Sequence, residues 1–199
     1  MKKKLIGLVM ACCLTFCLLA QTDSGKSYHN FPIIVTLQFH SLTLPFKDIK
    51  TNFANIGIGL GTEVSLNGKP NWVQQLQVLW FRNKAAGNGI FFYTQTAWRP
   101  AMASYVYSEL KAGAGYMLAF HPVESYKPVN GKWEPVGRIG KGMLAFPVGV
   151  SVGYHDSSSQ TNVSPFASYQ FLLLTDYNKS ITLIPQTLVQ VGTRIHPNY

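Results

Sequence analysis

The fold class of this chain is decided by the stretch Ile56-Gly57-Ile58-Gly59-Leu60-Gly61-Thr62-Glu63-Val64-Ser65-Leu66. Apolar residues occupy most of its even positions, and glycine or polar residues occupy its odd positions. Successive side chains of a β-strand point to opposite faces. This period of two therefore predicts a strand with one apolar face and one face of small and polar groups.

The same alternation recurs on both sides of this strand. Turn-forming residues separate the segments, as in Asn67-Gly68-Lys69-Pro70-Asn71. The other predicted strands are 33–44, 72–82, 90–99, 106–120, 144–154, 163–175 and 181–196. Both faces of 72–82 and 163–175 carry apolar residues, so the facing of these two strands stays open. Eight such strands predict a single all-β domain, either a barrel or a sandwich.

The first twenty residues predict an export signal. Lys2, Lys3 and Lys4 precede an apolar run from Leu5 to Leu19, and Ala20 offers a small-residue cleavage site. The run is shorter than the ~20 residues of a spanning helix, which disfavours a retained anchor. A lipoprotein cut before Cys12 is the other alternative. We expect cleavage after Ala20, with residues 21–199 forming the mature barrel domain.

Composition excludes several kinds of chemistry. All three cysteines lie in the predicted signal, so the mature chain has no thiolate and no disulfide. Loss of three lysines lowers the formal net charge of +9 to about +6, and no block of Lys and Arg is present, so nucleic acid is not an expected partner. The five histidines show no metal-ligand spacing. We expect no metal and no cofactor.

The alternation alone does not decide whether the apolar faces point into the barrel or out of it. In a soluble barrel the apolar faces point inward, whereas in a membrane barrel they contact lipid and the polar faces line the lumen. The polar faces carry few Lys and Glu residues, and isolated charges of both signs are suited to pairing in a narrow lumen. The predicted lumenal polar network consists of Glu63, Arg99, Glu109, Lys111 and Arg194. This pattern favours a transmembrane barrel with membrane lipid as its partner.

The last predicted strand leads into Gln190-Val191-Gly192-Thr193-Arg194-Ile195-His196-Pro197-Asn198-Tyr199. On Gln190, Gly192, Ile195 and the final Tyr199, the chain resembles small outer-membrane β-barrel proteins of the OmpA-like transmembrane-barrel class. The terminal strand of that class is an insertion signal that the barrel-insertion machinery recognises; Pro197 departs from its pattern. The resemblance implies an up-and-down antiparallel transmembrane barrel of about eight strands, located in the outer membrane of a Gram-negative bacterium.

The resemblance also implies that both termini face the periplasm and that alternate connections face outward. The longest outward connection, residues 121–142, combines aromatic and basic residues, and binding residues gather on long loops of rigid scaffolds. The candidate surface-loop contacts are Tyr126, Lys127, Lys132, Trp133 and Arg138. These residue types do not identify the external ligand.

Three functions are compatible with these patterns. We expect a non-enzymatic outer-membrane barrel with a structural, adhesion or surface-binding role, because no catalytic motif is found in the sequence. The second is a lipid-modifying enzyme in the same barrel, with His40, Ser41 and His121 as its candidate groups. The third is a soluble periplasmic ligand-binding barrel.

Overall fold

The computed structural model describes residues 28, 30–41, 53, 55–82, 87–100, 105–120, 125–137, 140–154, 163–175 and 183–196. The predicted signal peptide, Cys12, His121, Arg138 and Tyr199 lie outside these residues. No helix in the described ranges is long and apolar enough to cross a membrane.

β-Strands account for most of the described chain. They are β1 (Ile33–Ser41), β2 (Asn55–Ser65), β3 (Trp72–Phe81), β4 (Gly89–Trp98), β5 (Val106–Phe120), β6 (Ser125–Val129), β7 (Lys132–Gly137), β8 (Gly140–Tyr154), β9 (Val163–Thr175) and β10 (Leu183–Ile195). The eight predicted strands correspond to β1–β5 and β8–β10, and their ends differ from the prediction by at most four residues.

Eight strands close into an antiparallel barrel in the order β1-β10-β9-β8-β5-β4-β3-β2. Each barrel strand pairs with the next barrel strand along the chain, so that β5 pairs with β8, and β1 pairs with β10 from Ile33↔Ile195 to Ser41↔Thr187. Closure leaves no unpaired barrel edge. We call the end at which β1 begins and β10 ends the terminal end. The opposite, distal end carries the connections 42–54, 82–88, 121–139 and 176–182.

The apolar faces of the barrel strands point outward. In β2, Ile56, Ile58 and Leu60 are 52%, 59% and 62% exposed, whereas Gly57 and Gly59 are buried. This arrangement contradicts the alternative of a soluble barrel, which would need its apolar faces inside. An apolar exterior around a closed hydrogen-bond ladder is the form in which β-strands cross a lipid bilayer.

Glycines on the inner faces leave space for large side chains of the neighbouring strands. A Cβ atom on Gly61 would lie 2.7 Å from Gln77 Cγ, and one on Gly149 would lie 2.7 Å from Gln170 Cγ. The interior of an eight-stranded barrel is just wide enough for side chains to fill. The small residues of the polar face are therefore a packing requirement.

Residues 121–142 are predicted as a loop, but β6 and β7 form a hairpin within this range. The hairpin is a separate two-stranded sheet that turns at Asn130 and Gly131, whose φ angles are 49° and 78°. Asn and Gly tolerate such left-handed angles best. The loop prediction is wrong here because Pro128 and Pro135 are atypical of strands and hide the pattern. It is also wrong for residues 140–142, which begin β8.

Candidate functional site

Five buried charged side chains meet inside the terminal end of the barrel, and we call them the charged layer. They are Glu63, Arg99, Glu109, Lys111 and Arg194, none of them more than 8% exposed. Arg99 Nη2 lies 3.0 Å from Glu63 Oε1 and 2.6 Å from Glu109 Oε1. Arg194 also joins both carboxylates, with Nε 3.1 Å from Glu63 Oε2 and Nη2 2.6 Å from Glu109 Oε1. Lys111 Nζ lies 3.0 Å from Glu109 Oε2. The structure thus brings together all five residues of the predicted lumenal network.

Strands from different sides of the ring supply these charges. Glu109 and Lys111 are two residues apart in β5 and therefore share its inner face. Glu63 comes from β2 and Arg194 from β10, while Arg99 directly follows β4. Buried charges stabilise a fold only when their partners satisfy them, and the forked hydrogen bonds of two arginines meet this need. The charged layer therefore ties β2, β5, β10 and the residue after β4 together across the lumen.

Sequence reasoning misses Tyr28, which contacts the charged layer from the terminal end. Its hydroxyl donates to Glu63 and lies 3.3 Å from His196 Nε2, and its backbone N–H donates to Gly68 O at 3.1 Å. Burial and the neighbouring Glu63 charge raise the pKa of the Tyr28 hydroxyl. Tyr28 therefore remains a neutral donor at physiological pH. No sequence signal marks it, because it precedes the first predicted strand.

Two further contacts of the charged layer are missed as well. Tyr107 bonds to Arg194, and Ser151 donates to Glu109. Both residues occupy inward positions of predicted strands, Tyr107 two residues before Glu109. The period of two places both side chains in the lumen, so this signal is present in the sequence.

The middle of the lumen is filled by a glutamine layer. Its members are Gln38, Gln75, Gln77, Tyr93, Gln95, Gln170 and Gln190. Gln75 Nε2 donates to Glu63 Oε2 at 2.8 Å, and Gln95 Nε2 donates to Gln75 Oε1 at 2.7 Å. Tyr93 Oη donates to Gln77 Oε1 at 2.7 Å. Because an amide can both donate and accept, this layer extends the network without adding charge.

An apolar layer fills the distal part of the lumen. It consists of Leu79, Phe81, Phe91, Met117, Met143, Ala145, Leu172, Leu174 and Leu188. The expectation that polar faces line the lumen is wrong at these positions, because the side chains here pack against one another as in a protein core. The inward apolar residues of β3 and β9 explain why both faces of these strands look apolar in the sequence. Packed side chains therefore fill the described lumen from the charged layer to the apolar layer.

Two of the candidate catalytic residues are buried at the distal end, and only His40 occupies an inward position of β1. His40 is 2% exposed, stacks on Phe81 with ring centroids 4.6 Å apart, and bonds to Gln186. Ser41 is 3% exposed. A group that transforms a lipid must be accessible at the rim or the outer wall, and both side chains are buried.

The β6–β7 hairpin presents two different faces. Directly paired residues share a face, and the register pairs Pro128 with Trp133 and Lys127 with Glu134. The ring face consists of Tyr126, Pro128, Trp133 and Pro135; the charged face consists of Lys127, Val129, Lys132 and Glu134. Trp133 is 71% exposed and Tyr126 is 56% exposed. Of the predicted surface-loop contacts, two lie on each face, and Arg138 lies outside the described residues.

The predicted insertion signal is divided between the two faces of β10. Gln190 is buried in the glutamine layer, and a Cβ atom on Gly192 would lie 2.8 Å from Thr36 Cγ2 across the β1–β10 pair. Ile195 is outward and 37% exposed. Recognition of these residues and of Tyr199 by the insertion machinery stays a prediction.

These features define the class of the protein. A closed, eight-stranded, antiparallel up-and-down barrel with an apolar exterior and a filled lumen has the architecture of an outer-membrane β-barrel protein. That class sits in a bilayer, so the compartment that the fold indicates is the outer membrane.

Solved structures share this architecture. The chain is similar to Neisserial surface protein A, with a TM-score of 0.56 and 11% identity over 84% of this chain and 97% of that one. The Ail protein of Yersinia pestis matches with a TM-score of 0.48 and 14% identity over 84% and 97%. The N-terminal β-barrel domain of Pseudomonas aeruginosa OprF matches with a TM-score of 0.47 and 10% identity over 85% of this chain and 100% of that one. No protein-family model and no curated protein matches the sequence.

Proposed function

We propose that this protein is a non-enzymatic outer-membrane barrel that anchors a ligand-binding hairpin at the cell surface. The observation that carries the proposal is the exposed ring face of the β6–β7 hairpin, which stands at the distal end of a barrel with a filled lumen. Binding residues on such scaffolds gather in connections, while the strands supply rigidity.

Three observations support this function over the alternatives. The packed lumen argues against free diffusion of solutes through the barrel. Burial of His40 and Ser41 argues against a lipid-modifying enzyme that uses these groups. A protein of this fold, Neisserial surface protein A, is named for the cell surface.

The test uses the absence of cysteine from the predicted mature chain. Glu134→Cys places one thiol on the exposed hairpin, and Lys69→Cys places one on an exposed turn at the terminal end. Intact cells that produce either variant are treated with a membrane-impermeant maleimide. We expect Glu134→Cys to be labelled on intact cells, and Lys69→Cys to be labelled only after the outer membrane is permeabilised.

The opposite labelling pattern would place the hairpin in the periplasm and overturn the proposed function. Labelling of both variants in a soluble extract would contradict the membrane location as well. Heat-dependent gel mobility of each variant serves as the control for correct folding.

A further inference from the structure

The ring face is an unusual surface for an isolated hairpin. A two-stranded hairpin is at best marginally stable in water, yet Trp133 and Tyr126 leave more than half of their surface exposed. Contiguous exposed apolar groups mark interaction sites. The ring face is therefore the part of the hairpin that a ligand would cover.

The hairpin disfavours a partner that adds a strand. Pro128 in β6 and Pro135 in β7 lack the backbone N–H that an added strand would need, and lysines on edge strands also discourage pairing. With strands of only five and six residues, the hairpin offers a narrow strip, whereas each partner of a stable protein interface buries ~800 Å². A narrow ligand held by side chains fits this strip better than a protein surface.

The sequence of the distal connections is basic. Its four connections carry eight Lys and Arg residues against four Asp and Glu residues. The terminal-end connections carry Lys69, Arg99 and Asp156, and Arg99 is held in the charged layer. Complementary charge steers a ligand toward a surface and suppresses partners of the same sign. The partner of the hairpin is therefore expected to be anionic.

We propose that the hairpin binds an acidic polysaccharide outside the cell. Trp133 and Tyr126 are rigid, amphipathic rings that give a large contact area at little entropic cost. The apolar C–H faces of sugar rings stack on them. Lys127 and Lys132 lie on the opposite face of the hairpin, where their positive charge attracts the carboxylate or sulfate groups of such a ligand toward it. This inference rests on the proposed function and names its ligand class.

The test compares two polymers with the same glucose backbone. Purified mature protein in detergent micelles is immobilised, and binding of dextran sulfate and of unmodified dextran is measured by surface plasmon resonance. We expect dextran sulfate to bind and unmodified dextran to bind at least tenfold more weakly. Trp133→Ala should weaken dextran sulfate binding by about tenfold. A combined Lys127→Gln and Lys132→Gln variant should weaken it and reduce its dependence on salt.

Matched variants keep the result decisive. Lys69→Gln removes a cation from the terminal end and should leave binding unchanged, while Trp133→Phe retains a ring and should bind better than Trp133→Ala. Each variant must show the heat-dependent mobility of the closed barrel. Tyr126→Ser replaces Trp133→Ala if the latter fails to fold.

Several results would overturn the inference. Equal binding of both polymers would show that the ligand need not be anionic. Unchanged dextran sulfate binding by Trp133→Ala would show that charge attraction alone holds the polymer. Trp133-dependent binding to phosphatidylglycerol vesicles without binding of dextran sulfate would assign the ring face to lipid. Surface labelling of Glu134→Cys without dextran sulfate binding refutes only the ligand class. Absence of surface labelling refutes the proposed function itself.

Discussion

The two ends of the lumen are filled by opposite means. The charged layer holds Glu63 and Glu109 by directional bonds to Arg99, Arg194 and Lys111. The apolar layer consists of side chains that need only shape and volume to fit. One lumen is therefore filled by charge pairing at one end and by apolar packing at the other. Removing charge at constant shape should therefore destabilise the charged layer. Removing volume should destabilise the apolar layer.

The largest effect is expected in the charged layer. Glu109→Gln keeps the shape of the side chain but removes the carboxylate that three cations share, which leaves buried positive charge uncompensated. We expect the free energy of unfolding to fall by about 3–5 kcal/mol, measured by guanidinium titration in detergent micelles. Glu134→Gln, on the exposed hairpin, is the matched control and should change it by less than about 0.5 kcal/mol. Equal losses in both variants would show that the buried carboxylate contributes no more to stability than the exposed one.

The apolar layer should depend on volume. Leu172→Ala removes a buried side chain and should lower the free energy of unfolding by about 2–5 kcal/mol. Leu172→Met conserves volume and should cost less than about 1.5 kcal/mol under the same titration. If methionine costs as much as alanine, the layer is not held by packing volume.

Tyr28 tests whether the segment before β1 stabilises the charged layer. Tyr28→Phe keeps the ring but removes the hydroxyl that donates to buried Glu63, and a hydrogen bond to a charged group contributes about 1.5–3 kcal/mol. We expect a loss of this size in the same unfolding assay. Tyr126→Phe, on the exposed ring face, should be close to neutral. A neutral Tyr28→Phe would show that the segment before β1 does not support the charged layer.

The smallest effect on stability is expected on the hairpin. Trp133→Ala should change the free energy of unfolding by less than about 0.5 kcal/mol, because its side chain is mostly exposed. A loss above 2 kcal/mol, roughly the cost of a buried side chain, would show that the indole supports the barrel and would argue against a free ring face.

The barrel strands and the charged layer were accessible to sequence reasoning for the same reason. A period of two assigns every residue of a strand to one face, so Glu63, Glu109 and Lys111 had to share the polar side. When the outer face of a strand is apolar, charged side chains on its other face point into the lumen. That argument needs no knowledge of neighbouring strands.

The apolar layer and the hairpin could not be found in this way. Leu79 and Leu172 lie inward and pack against side chains from other strands, and this contact depends on how eight strands close together. The hairpin has short strands with prolines, so its alternation is too brief to stand out from a loop. The position of Tyr28 depends on a tertiary contact with Glu63 that no local pattern encodes.

The central claim is that the strands close with their apolar faces on lipid. It is tested most directly by separating membrane and soluble fractions and comparing the gel mobility of unboiled and boiled protein. The account predicts recovery in the outer-membrane fraction and a mobility shift on boiling, as a closed, detergent-resistant barrel would give. Recovery in the soluble periplasm with a single mobility would contradict it.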